Sequence, residues 1–145
     1  MKSFRLFFEK AESEEKKNVN ATLEKIPKKH ASLVKGFSLK FTPNNTLNGD
    51  KNHIGYIYKN DIEVAAPYNY GREFTLLHEI AHMIWEKILS KENKKEWTEL
   101  YQKYKKELKQ NAEEIFCMVY ANTYVKHKLK TYDKPDLENF IKNKI

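Results

Sequence analysis

Apolar and polar residues alternate with period two over three short stretches of this chain, 37–42, 54–58 and 62–65. That alternation predicts three half-buried strands, the last two joined as a hairpin through Lys59, Asn60 and Asp61. Elsewhere the apolar residues recur at helical spacing. Phe4, Phe7, Phe8 and Ala11 line one narrow edge of a charged segment, so residues 1–19 are expected to hold a peripheral helix, with a break at 18–20. Residues 21–34 predict a helix with Pro27 near its start and Gly36 past its end, and residues 44–52 predict a polar loop. A helix is expected from Arg72 to about Ser90. Next comes a helical region in which Trp97, Leu100, Tyr101, Tyr104 and Leu108 recur, with a break near Gln110 and Asn111. Residues 112 to about 128 are apolar on nearly every side and should form the central helix of the domain. The expected class is therefore α+β, with a small twisted antiparallel sheet packed beside these two helices.

Length and composition narrow the picture. At 145 residues, 40% hydrophobic and 32% charged, the chain fits a single globular domain over 1–145 with a core of its own. The net charge of +7 comes from lysines scattered through nearly every segment rather than gathered in a recognised motif, so no nucleic-acid partner is expected. One cysteine excludes an internal disulfide, and no apolar run is long enough to span a bilayer. Charge returns soon after Phe7 and Phe8, before a signal-peptide core can form. The expectation is a cytoplasmic monomer, or an exported protein whose signal has been removed.

The candidate chemistry lies in the helix beginning near Arg72, where His78-Glu79-Ile80-Ala81-His82 reads H-E-x-x-H. Residues four apart share a helix face, so both imidazoles can reach one ion, and zinc suits them. Glu79 projects to the side of that pair, placed to take a proton from a metal-bound water without ligating. Leu76, Leu77, Met83 and Ile84 surround the triplet with apolar side chains, and a buried polar cluster must be paired or must coordinate something. The third ligand is expected from Glu113 or Glu114, which open the central helix. A carboxylate there would ordinarily serve the positive end of the helix dipole, and that accounts for one acid more readily than for two. Glu114 is preferred because its face continues through Cys117, Met118 and Ala121, slim residues that allow close helix packing; Glu113 stays open. His127 lies between two lysines and is a poor candidate. His30 and His53 read as surface histidines, Cys117 as packing, and Arg72 and Glu73 as capping or solvated residues. Trp85 and Ile88 stand where a metzincin needs glycine and histidine, which excludes that class.

These residues carry a resemblance. H-E-I-A-H followed by a helix reading E-I-F-C-M-V-Y resembles the gluzincin metallopeptidases, and among them the family of the anthrax lethal factor catalytic domain and the Pro-Pro endopeptidases. The likeness extends loosely over residues 21–144. It implies a minimal zincin-like fold and a zinc metalloendopeptidase holding one Zn2+ per chain through His78, His82 and Glu114, with Glu79 as general base and a peptide or protein as substrate. Two positions depart from that family: Glu107 replaces a tyrosine seven residues before the glutamate ligand, and Met118 replaces an acid one turn after it. The oxyanion-stabilising tyrosine would then come from elsewhere, Tyr104 being nearest, with Tyr101, Tyr68 and Tyr70 further off. A rival resemblance, carried by Phe74-Thr75-Leu76-Leu77-His78-Glu79-Ile80-Ala81-His82, is to the cytosolic metallopeptidases that cleave repressors of mobile elements. The alternative to an enzyme is a zinc-bound, catalytically weak binding module.

Overall fold

Helical periodicity dictates most of what the chain builds. A computed structural model describes residues 13–42, 55–58, 61–65 and 71–145. The expectations resting on Phe4 to Ala11, on the loop at 44–52 with His53, on the turn at 59–60, and on Tyr68 and Tyr70 lie outside the described residues. Helix α1 (Ser13–Lys25) runs unbroken through 18–20, contrary to the expected interruption. Asparagine costs a helix only a fraction of a kcal/mol relative to alanine, less than is gained by burying Val19 and Leu23 on its inner face. Pro27, which has no N–H to donate, stands between that helix and the next: it caps the start of the following turn, its carbonyl accepting the His30 and Ala31 N–H groups at 2.9 and 3.1 Å. A single turn, α2 (Lys28–Ala31), follows and tightens into a 3-10 turn (Ser32–Val34) before Gly36 reverses the chain at φ +82.

Three strands come next: β1 (Ser38–Thr42), β2 (Gly55–Tyr58) and β3 (Asp61–Ala65). The hairpin pairing is as expected, with β2 antiparallel to β3 and Ile57 opposite Ile62. β1 instead pairs parallel to β3, Ser38 opposite Asp61 and Thr42 opposite Ala65, giving the order β1-β3-β2. The expected class, an α+β zincin-like domain on a twisted antiparallel sheet, is therefore corrected. The described residues are predominantly helical, and the strand content is one small mixed sheet at the edge of a helical body. Period-two alternation reports that one face of a strand is buried, and it carries no information on which neighbour the strand pairs with or in which direction.

From Gly71 onward the described chain is helical with short joints. Gly71, at φ +74, turns the chain into α3 (Gly71–Lys87), a conformation residues with a Cβ rarely adopt. Then come α4 (Lys91–Tyr101), a 3-10 turn (Gln102–Tyr104), α5 (Lys105–Leu108), α6 (Ala112–Tyr124), a further 3-10 turn (Lys130–Tyr132) and α7 (Pro135–Lys144). Ser90 and Asn93 form a reciprocal capping box at the start of α4. Lys109, left-handed at φ 56, ends α5, and Asn111 caps α6 by accepting the Glu114 backbone N–H at 2.8 Å.

Among the described residues, helices α3 and α6 pack against each other more extensively than any other pair of elements. Leu77, Ile80 and Ile84 of α3 and Ile115 and Phe116 of α6 are fully buried between them and their neighbours. Helix α6 is buried along nearly its whole length, as its all-round apolar sequence predicts. Trp97 on α4 donates its indole N–H to the Ala112 carbonyl at 2.8 Å and meets Phe116 edge to face, which fixes the first turn of α6. β2 and β3 rest against α3. No helix among the described residues is long and apolar enough to cross a membrane.

Candidate metal centre

The site is made where the middle of α3 passes the first turn of α6. The four-residue spacing stacks His78 and His82 on one side of α3, their ring centroids 4.9 Å apart and inclined by 65°. The Asn111 cap begins α6 at a point that turns Glu113 and Glu114 toward those rings. His78 Nε2 lies 3.2 Å from Glu114 Oε2, and His82 Nε2 lies 3.0 Å from Glu114 Oε1. A single carboxylate thus faces the same nitrogen of both imidazoles. Glu113 takes the other side of His82, accepting from Nδ1 at 2.8 Å. Glu79 is buried beside His78, its Oε2 3.2 Å from Nδ1, although that nitrogen makes no well-formed hydrogen bond.

Burial is graded across the cluster. His78 and Glu79 are nearly enclosed, whereas His82, Glu113 and Glu114 are 29%, 42% and 34% exposed, so the inner wall is dry and the outer rim meets solvent. Burial drives the His78 imidazole toward neutrality, but the carboxylates of Glu114 and Glu79 overcome it and carry its pKa up to about 9. His82 is also raised, its burial outweighed by Glu114 and Glu113. Hydrogen bonds from His78 and His82 hold the Glu114 carboxyl well below the usual carboxylate range.

Cys117 stands one turn beyond Glu114 and is fully buried. Donor atoms of His78, His82 and Cys117 all lie within 4.8 Å of one another. Burial, reinforced by the charges of Glu114, Glu113 and Glu79, pushes its thiol pKa well up. Three-residue helical spacing from Glu114 was the signal that places this sulfur on the same face, and reading Cys117 as packing alone overlooks it.

The donor set fits a divalent ion. Tetrahedral zinc with nitrogen and oxygen donors at about 2.0–2.2 Å needs donor pairs roughly 3.3–3.6 Å apart. The two Nε2-to-Glu114 distances are shorter by a few tenths of an ångström, the spacing of charged hydrogen bonds. Neutral imidazoles and an ionised carboxylate are the forms a metal takes, and Glu113 on His82 Nδ1 is the outer contact that orients a ligating histidine.

Other residues singled out in the sequence lie elsewhere. The Tyr104 hydroxyl donates to Asp136 Oδ1 at 2.8 Å, tying its turn to α7, and no contact between Tyr104 and the cluster occurs among the described residues. His127 is exposed in the segment after α6. His30 is not a surface residue: it is completely buried, with Nδ1 2.8 Å from the Tyr120 hydroxyl. Leu23, Ile26 and His30, spaced by three and four, are buried together, and the flanking lysines masked that pattern. Glu73 is structural. It accepts the Lys126 backbone N–H at 2.9 Å and the Thr22 hydroxyl and Lys25 ammonium at 2.9 and 3.0 Å, joining the first turn of α3 to α1 and to the end of α6. The Arg72 side chain lies outside the described residues. Comparison with family models, curated proteins and solved structures finds no match for this chain.

Proposed function

We propose that the chain is a zinc-dependent hydrolase of peptide bonds, with His78, His82 and Glu114 as metal ligands and Glu79 as general base. The observation that carries this reading is the convergence of both Nε2 atoms of α3 on the two oxygens of Glu114 on α6, at 3.2 and 3.0 Å, from positions 36 and 32 residues away in sequence. Bound there, zinc lowers the pKa of a water to about 7 and polarises a carbonyl. The remaining work belongs to the chain. Glu79, adjoining His78 in the dry inner wall, takes a proton from the attacking water and returns it to the leaving nitrogen. Glu113 holds His82 by Nδ1, which leaves Nε2 free to ligate. The exposed rim at His82 and Glu114 admits the substrate. Among the described residues β2 is an edge of the sheet and packs on α3, the helix that carries both histidines, so it offers an extended peptide a strand to pair with.

A second reading has one observation in its favour. Tyr104, the tyrosine proposed to hold the oxyanion, is engaged by Asp136, which supports a metal-bound module with weak or no turnover. One variant separates the two. Glu79→Gln is expected to keep its zinc, measured by elemental analysis of the purified chain, while losing at least a hundredfold in cleavage of a fluorogenic peptide library. Wild-type chain that holds one zinc and cleaves nothing supports the module; wild-type chain without zinc sinks both.

A further inference from the structure

The cluster contains one donor more than an open hydrolytic site uses. Cys117 is the single thiol of the chain, fully enclosed, and its sulfur falls within 4.8 Å of donor atoms of both histidines. Tetrahedral zinc with a sulfur at about 2.3 Å and a nitrogen at about 2.0 Å separates them by roughly 3.5 Å, so the sulfur is at most about 1.3 Å from ligating distance. Glu114 and Cys117 project from the same face of α6 one turn apart, and both look onto the stacked imidazoles of α3.

We propose that Cys117 is a fourth protein ligand of the ion held by His78, His82 and Glu114, so that the resting site is closed by sulfur rather than open to water. This inference rests on the metal-site reading above and deepens it. Binding breaks the Cys117 S–H bond, forms a sulfur–metal bond and releases one proton to solvent; no electrons are transferred. A site with two imidazoles, one carboxylate and one thiolate favours thiophilic divalent ions such as Zn2+ and Cd2+ over oxygen-seeking ions such as Mg2+ or Mn2+. It also makes departure of the sulfur the step that uncovers a coordination position for water. The exposed edge at Glu114 and His82 is where solvent enters once it leaves.

The test is the absorption spectrum of the full chain loaded with Co2+. Cobalt bound by nitrogen and oxygen donors shows visible ligand-field bands, and a thiolate on the same ion adds a sulfur-to-cobalt charge-transfer band in the near ultraviolet. Wild-type chain is expected to show both. Cys117→Ser, with Cys117→Ala as a second variant, is expected to keep the visible bands and lose the ultraviolet one. Visible bands without the charge-transfer band in folded wild-type chain overturn the sulfur ligand and leave the His78, His82 and Glu114 site standing. Absence of both bands in wild-type chain shown folded by circular dichroism overturns the metal site and this inference with it.

Discussion

Adjacent glutamates reach His82 from different sides, and the difference decides what each can do. Glu114 faces Nε2 of both rings, and Glu113 touches only Nδ1 of His82. A ligand and its outer support differ in how much metal affinity they carry: loss of a ligand empties the site, whereas loss of an outer contact typically weakens binding by about 10–100-fold. Glu114→Ala is therefore expected to hold no stoichiometric zinc in competition with a chromophoric chelator. Glu113→Ala is expected to bind with an affinity lowered by about one to two orders of magnitude. Equal affinities in Glu114→Ala and wild type would remove Glu114 from the ligand set. That Glu114 turns toward both histidines was legible in outline, because the face of α6 carrying it continues through Cys117 and Ala121. The exchange of Nδ1 and Nε2 partners was not, since it depends on ring rotation that no spacing of letters records.

The site is only as well placed as the first turn of α6. Asn111 accepts the Glu114 N–H, and Trp97 holds the Ala112 carbonyl, so both acids sit in a turn fastened at its cap and at its base. Removing an N-cap side chain costs about 1 kcal/mol, and here the frayed turn is the one that carries the carboxylates. Asn111→Ala is expected to lower unfolding free energy in urea by about 1 kcal/mol and to weaken zinc binding as well; Asn111→Ser restores both. Unchanged metal affinity in a destabilised Asn111→Ala chain would separate the cap from the site. Element by element, the letters locate the helices that matter. The break at Gln110 and Asn111 became the joint between α5 and α6, marked by left-handed Lys109, and α3 starts one residue before its expected position, at Gly71. They do not locate the parallel pairing of β1 with β3, because strand alternation is blind to partner and direction. Nor do they reveal that burial of Val19 and Leu23 carries α1 straight through its asparagines.

At the scale of the whole molecule, the metal-free chain balances two buried histidines whose protons respond oppositely to folding. His78, raised from 6.5 to about 9 by Glu114 and Glu79 despite its burial, binds a proton more tightly when folded. Its contribution to stability is fully present below pH 6.5 and is lost as pH climbs through 9. His30 is the reverse: burial, then the charge of Lys29, lowers it to about 4, so folding expels its proton. Its neutral form is at no disadvantage above pH 6.5, and stability falls as pH drops from there toward 4. Glu114, held below its ordinary 4.5 by the same histidines, adds to that acid loss only beneath 4.5. Chelator-treated chain is accordingly expected to be most stable near pH 6.5, with thermal midpoints falling on both sides. The two limbs have separate owners: His78→Gln should shrink the alkaline limb to the part that the raised His82 contributes and leave the upper acid limb, whereas His30→Gln should remove the upper acid limb and leave the alkaline one. Saturating zinc stabilises the folded state by mass action and replaces the imidazole protons, so the alkaline decline should vanish in its presence while the acid decline persists. Thermal melts followed by circular dichroism across pH 4–9, with and without zinc, measure all of this. An alkaline limb unaffected by His78→Gln would mean that the cluster between α3 and α6 does not set the pH dependence of the fold.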